Sequence, residues 1–150
     1  MSEFDPATFA NVAPKEFAQL VKSTPNDQLK AAMQGEHRTA ILDEIFARMP
    51  GLFRPDRAGS TNAVIHWIVG DRPDSGADTY ELVIANGTCA LSPKPENDPK
   101  LALTLPAVDF LKVVSGNANP VMLFMTGKLK AKGDLGLAAN IANLFDIPKA

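Results

Sequence analysis

With 150 residues, 45% of them apolar, and a single cysteine, the chain has the size and apolar content of one domain with a real core. Cys89 alone excludes an internal disulfide and a cysteine-rich zinc centre, and it fits a reducing compartment. A net charge of -2 gives nucleic acid no global attraction, and no obvious local basic patch replaces it.

The start, Met1 to Asp5, has no basic segment followed by an apolar core, so no signal peptide is expected. The apolar runs are too short to span a bilayer, and a soluble cytoplasmic protein is expected. Pro14, Phe17, Leu20 and Val21 have helical spacing, with Pro14 suited to a first turn. Thr24 and Pro25 predict a cap and first-turn proline for a second helix carrying Leu29, Ala32 and Met33, with Gly35 as its stop. Ile41, Leu42, Ile45, Phe46 and Met49 make a one-sided stripe that predicts a helix ending at Pro50-Gly51.

Beyond a turn-rich stretch from Phe53 to Gly59 the period changes to two. Ala63, Ile65, Trp67 and Val69 share one strand face, and Val64, His66 and Ile68 share the other. Tyr80, Leu82 and Ile84 alternate likewise, and Asn86-Gly87 predicts a tight hairpin turn into Cys89 and Leu91. Residues 92–100 carry three prolines and no period, which reads as a loop. Leu101, Leu103 and Leu105 form a further strand, and Pro106 opens a helix through Phe110, Leu111 and Val114. Gly116 to Pro120 breaks that helix before the run Val121-Met122-Leu123-Phe124-Met125, in which no position is polar. Lys128, Lys130 and Lys132 then alternate along a strand, and Asp134 is placed to cap a helix whose Leu137, Ile141, Leu144 and Phe145 share one side. Strands in a meander flanked by helices predict an α+β fold with a mainly antiparallel sheet.

The segments Leu101-Ala102-Leu103-Thr104-Leu105, Asp109-Phe110, Gly116 to Pro120, Met125 to Asp134 and Leu137-Ala138 resemble the sterol carrier protein-2 family. The match is close over the last fifty or so residues and rests mainly on strand order from Asn62 to Ser92; the first sixty residues match only in supplying helices. The resemblance implies one lipid-binding domain over 1–150, with a helical part at 1–60 and the sheet with its C-terminal helices at 61–150. It also implies a five-stranded sheet covered by helices on one face, enclosing an apolar tunnel for fatty acyl chains, acyl-CoA, phospholipids or sterols. No metal or redox cofactor is implied, and the family also occurs as a module appended to enzymes.

A helix with five consecutive apolar positions cannot turn them all to one flat core, so Val121–Met125 is enclosed, lies against a partner or lines a cavity. The resemblance favours the cavity, and Met122 and Met125 suit varied ligand shapes. The candidate liners are Ile65, Trp67, Leu82, Leu103 and Leu105 from the strands, with Phe110, Met122, Phe124, Met125, Leu137, Ile141 and Phe145 from the helices.

Signals for catalysis are weak. Gly127-Lys128 lacks the earlier glycine and following Ser or Thr of a phosphate loop, since Met122 and Leu129 stand there. His37 and His66 have no metal-ligand spacing, Cys89 reads as a small core residue, and Asp43 and Glu44 read as solvated helix residues. The three alternating lysines read first as a solubilising strand face and second as an attractor of anionic headgroups. The expected function is a non-catalytic lipid carrier, monomeric or weakly dimeric, with transient membrane contact and no nucleic-acid partner. A protein-interaction or dimerisation module, and an accessory domain presenting lipid to a lipid-metabolising enzyme, remain as alternatives.

Overall fold

The computed structural model describes residues 14–35, 38–72, 76–92 and 94–145. Among the described residues four helices come first: α1 (Pro14–Ser23), α2 (Asn26–Met33), α3 (Arg38–Leu52) and α4 (Pro55–Ala58). The strands β1 (Ala63–Val69), β2 (Asp78–Ala85), β3 (Thr88–Leu91) and β4 (Leu101–Leu105) follow, then α5 (Ala107–Val114), α6 (Pro120–Met125), β5 (Lys130–Gly133), α7 (Leu135–Asn140) and a 3-10 turn at Ile141–Asn143.

One five-stranded sheet has the order β3-β2-β1-β4-β5. Its pairs are antiparallel except β1 with β4, which run parallel in a register that sets Trp67 beside Leu103. The parallel pair needs a crossover, which runs through the β2–β3 hairpin and the loop beyond it, whose described residues 94–100 carry no helix or strand. The hairpin forms where Asn86 and Gly87 take φ 53 and 74, the left-handed conformations that this turn requires. The strict alternation of β1 puts Ala63, Ile65, Trp67 and Val69 under the helices, with Leu82, Ile84, Leu101, Leu103 and Leu105 beside them. Phe46 of α3 and Phe110 of α5 press onto this face and stack on each other at 5.2 Å.

Several boundaries differ from the sequence expectation. Thr24 does not cap α2; its hydroxyl donates to the Leu20 carbonyl at 2.6 Å and so closes α1. The third helix runs through Pro50 and Gly51 to Leu52, because a proline in the last turn forfeits only its own hydrogen bond. Within the turn-rich stretch, Pro55–Ala58 forms a single helical turn, and Phe53 bridges to Phe145. The lysine strand starts at Lys130, so Lys128 sits in the preceding turn, where its amide donates to the Leu123 carbonyl at 2.9 Å. Asp134 caps α7 as expected, its carboxylate accepting from the Leu137 amide at 3.0 Å. The stripe from Leu137 to Phe145 is buried throughout, but the backbone tightens to a 3-10 turn at Ile141.

Arg38 at the start of α3 ties the layers together. Its guanidinium donates to the Met33 carbonyl at 3.0 Å, the Val69 carbonyl at 2.7 Å and Asp78 at 2.8 Å, and the side chain is 4% exposed.

Candidate functional site

The candidate liners fall into two groups. Ile65, Trp67, Leu82, Leu103, Leu105, Phe110, Leu137, Ile141 and Phe145 are buried between the sheet and the helices. Trp67 is the centre of this layer: its indole meets Phe110 edge-on at 5.6 Å, and Phe46 bridges Phe110 to Tyr80, which it stacks at 4.1 Å. The Trp67 Nε1–H is buried without a hydrogen-bond partner among the described residues, although buried indole donors are usually satisfied. The neighbouring polar tip is satisfied, since the Tyr80 hydroxyl donates to Asp43 at 2.7 Å; burial and that carboxylate both raise the phenol's pKa. Asp43 is therefore more than a solvated helix residue.

Met122, Phe124 and Met125 do not join that group. They are 58%, 40% and 77% exposed, and Val121 and Leu135 are exposed beside them, so the expectation of enclosure fails for these three. The cause is helix length: α6 has six residues and turns back at Thr126, whose hydroxyl and amide both close on the Met122 carbonyl. Buried Pro120 and half-buried Leu123 anchor the helix, and the rest of its circumference meets solvent. An apolar groove of about 190 Å³ lies between α6 and α7, lined by Pro120, Val121, Phe124, Met125, Leu129, Leu135 and Ala138. The described residues do not show the enclosed tunnel that the resemblance implies.

On the opposite face of the sheet a second cluster forms that the sequence pattern did not single out. Glu81 is fully covered and accepts hydrogen bonds from the Glu96 and Asn97 amides at 3.1 and 2.9 Å, from Asn97 Nδ2 at 3.1 Å and from His66 Nε2 at 3.0 Å. Burial alone pushes its pKa up, but the bonds from Ser92, Asn97 and His66 together outweigh it and bring it from 4.5 to about 2. This carboxylate fastens the crossover loop to the sheet. The signal for it was present in the outward placement of His66 and Glu81, but only the strand register makes them neighbours.

The other chemistry-bearing residues stay apart. Burial pushes the Cys89 thiol up to about 11, which keeps it protonated at neutral pH and a poor nucleophile. No group of three His, Cys, Asp or Glu side chains suited to a metal ion occurs among the described residues, and His37 lies outside them. Asp134 and Lys100 face an open polar hollow at 3.9 Å from each other, on the far side of α7 from the apolar groove.

Comparison with known proteins follows the same architecture. Hydroxysteroid dehydrogenase-like protein 2 of Homo sapiens is 26% identical over 145 residues, covering 94% of this chain and 34% of that protein. Sterol carrier protein 2 of Homo sapiens is 33% identical over 76 residues, 51% of this chain and 14% of that one. The chain thus spans about a third of the length of the dehydrogenase-like relatives it matches. Among solved structures, the apo form of sterol carrier protein 2 from Yarrowia lipolytica aligns with a TM-score of 0.56 at 26% identity, over 75% of this chain and 94% of that one. The profile of the SCP-2 sterol transfer family matches residues 42–146, well over half of the chain, and with the sheet order and helical cover described above it establishes that this chain belongs to the SCP-2 sterol transfer family.

Proposed function

We propose that this domain binds lipids without acting on them chemically, holding a fatty acyl, acyl-CoA, phospholipid or sterol-like molecule against the apolar face of the sheet. The observation that carries this reading is the layer around Trp67, where apolar strand and helix side chains surround one buried donor that has no partner among the described residues. A ligand oxygen at that point would satisfy the indole N–H, and the aliphatic remainder would pack on Ile65, Leu82, Leu103 and Phe110. Each methylene removed from water is worth about 0.8 kcal/mol, so a chain of about fifteen gains on the order of 12 kcal/mol before ordering costs. That term depends little on shape, which favours a range of chain types over one ligand.

A second reading places the domain beside an enzyme. It is supported by the dehydrogenase-like relatives, in which the matching region occupies about a third of a longer protein. Presentation of lipid to a separate catalytic unit uses the same binding face.

Native mass spectrometry of protein purified from cells, with displacement of a fluorescent fatty acid as the solution assay, tests the proposal. A co-purifying lipid and competition by fatty acids, acyl-CoA or sterols are expected. Absence of binding across all these classes would sink it. Trp67 is the single tryptophan, so its emission reports ligand entry directly. Trp67→Phe is expected to weaken ligands with an acceptor oxygen near the chain end more than plain hydrocarbons.

A further inference from the structure

Trp67 Nε1–H is the one buried side-chain donor that the fold leaves without a partner among the described residues. It belongs to the central strand of the sheet, β1, where Tyr80 of β2 and Leu103 of β4 are its neighbours across the strands. Phe110 of α5 meets it from the helical layer. The residue is 2% exposed, so bulk water does not reach the indole, and an indole nitrogen donates without accepting. Whatever meets it from a ligand is therefore an acceptor.

The polar groups around the indole decide which kind of acceptor fits. Arg38 is the only buried cation among the described residues, and its guanidinium is committed to the Met33 and Val69 carbonyls and to Asp78. The Tyr80 hydroxyl is committed to Asp43 at 2.7 Å, and the buried hydroxyls of Thr24 and Ser115 donate to the Leu20 and Lys112 carbonyls. The layer thus offers a ligand one neutral donor and no buried cation that is not already engaged. An ionised carboxylate or phosphate seated there loses its hydration in exchange for a single neutral hydrogen bond, which leaves most of its desolvation cost unmet. An uncharged carbonyl or hydroxyl oxygen loses far less and fills the donor. A plain hydrocarbon leaves the N–H as unsatisfied as before.

We infer that Trp67 is the specificity-determining residue of the lipid-binding layer, a reading on which this assignment rests, and that its indole N–H selects chains carrying an uncharged acceptor oxygen. Esters, alcohols and ketones of long chains meet the requirement. A free fatty acid meets it only in its protonated form, and an ionised head group stays outside the layer while its chain alone is buried.

Displacement of a fluorescent fatty acid from the full chain by matched probes tests the selection: hexadecane, hexadecanol, methyl palmitate, and palmitate at about pH 8. Wild type is expected to prefer the alcohol and the ester to the hydrocarbon by about tenfold. Trp67→Phe keeps an aromatic ring and removes the N–H, and it is expected to bring that preference down to about one. Ionised palmitate should respond to the substitution as hexadecane does. The single tryptophan also gives a readout that needs no variant. With the indole nitrogen labelled, its one N–H resonance in wild type is expected to move downfield on saturation with methyl palmitate or hexadecanol, and to lack that move with hexadecane. A preference for the ester that survives Trp67→Phe, or an N–H resonance that does not move downfield with the bound ester, would overturn the assignment and leave the carrier reading standing. Palmitate weakened by the substitution as much as the ester would overturn the selection for uncharged oxygens. If neither the fluorescent fatty acid nor any of the probes binds, the carrier reading itself fails and the assignment falls with it.

Discussion

Glu81 illustrates how one side chain carries a structural duty that its residue type would not suggest. An ionised carboxylate buried under a loop is tolerated because backbone amides, Asn97 and His66 supply donors to it. Its folded-state pKa of about 2 lies below the ordinary 4.5, so the stabilisation it provides is complete above pH 4.5 and is lost as pH falls from there toward 2. Glu81→Gln should therefore lower unfolding free energy at pH 7 by about 2–3 kcal/mol, with the gap from wild type closing in urea titrations repeated near pH 3. Trp67 is the converse case, a buried donor left without an acceptor among the described residues. A fatty acid that supplies the acceptor should shift the emission of this residue, and an unchanged spectrum on saturation would argue against contact at the indole.

At the scale of elements, the joints matter more than the elements themselves. Arg38 links the start of α3 to the end of α2, the end of β1 and the start of β2 through three partners, and only Asp78 among them has a second arginine, Arg72, within 3.4 Å. Arg38→Met keeps the volume but strands the Met33 and Val69 carbonyls and leaves Asp78 to Arg72 alone, and chemical denaturation should show a loss of about 2–4 kcal/mol. The joint between β4 and β5 is as tight. Gly133 has φ 111, and a Cβ built there collides with the Lys100 carbonyl oxygen. Gly133→Ala is thus expected to cost about 2 kcal/mol or more, with faster amide exchange along β5 than along β1. Most elements were legible because their signals are local: alternation in β1, Asn86-Gly87 in the hairpin, and Asp134 three residues before the amide it caps. The end of α3 was not legible in that way, since whether Pro50 terminates a helix depends on how many turns follow it.

At the scale of the molecule, a sheet with one apolar face and a helical layer above it make up a body suited to holding lipid. Any ligand that binds only the folded form must stabilise it, so a fatty acid at a hundredfold its Kd should add about 2.7 kcal/mol to unfolding free energy. A thermal scan that shows no shift with any acyl ligand would count against the carrier function. The sequence by itself determined the α+β class, the faces of the strands, the residues of the buried layer and the family, because period and turn chemistry are properties of neighbouring residues. Only the tertiary structure decided that Met122, Phe124 and Met125 face solvent, that Glu81 is buried and that Arg38 spans two layers. Burial depends on what lies across space from a side chain, and in each of these cases that neighbour, or its absence, comes from a distant part of the chain.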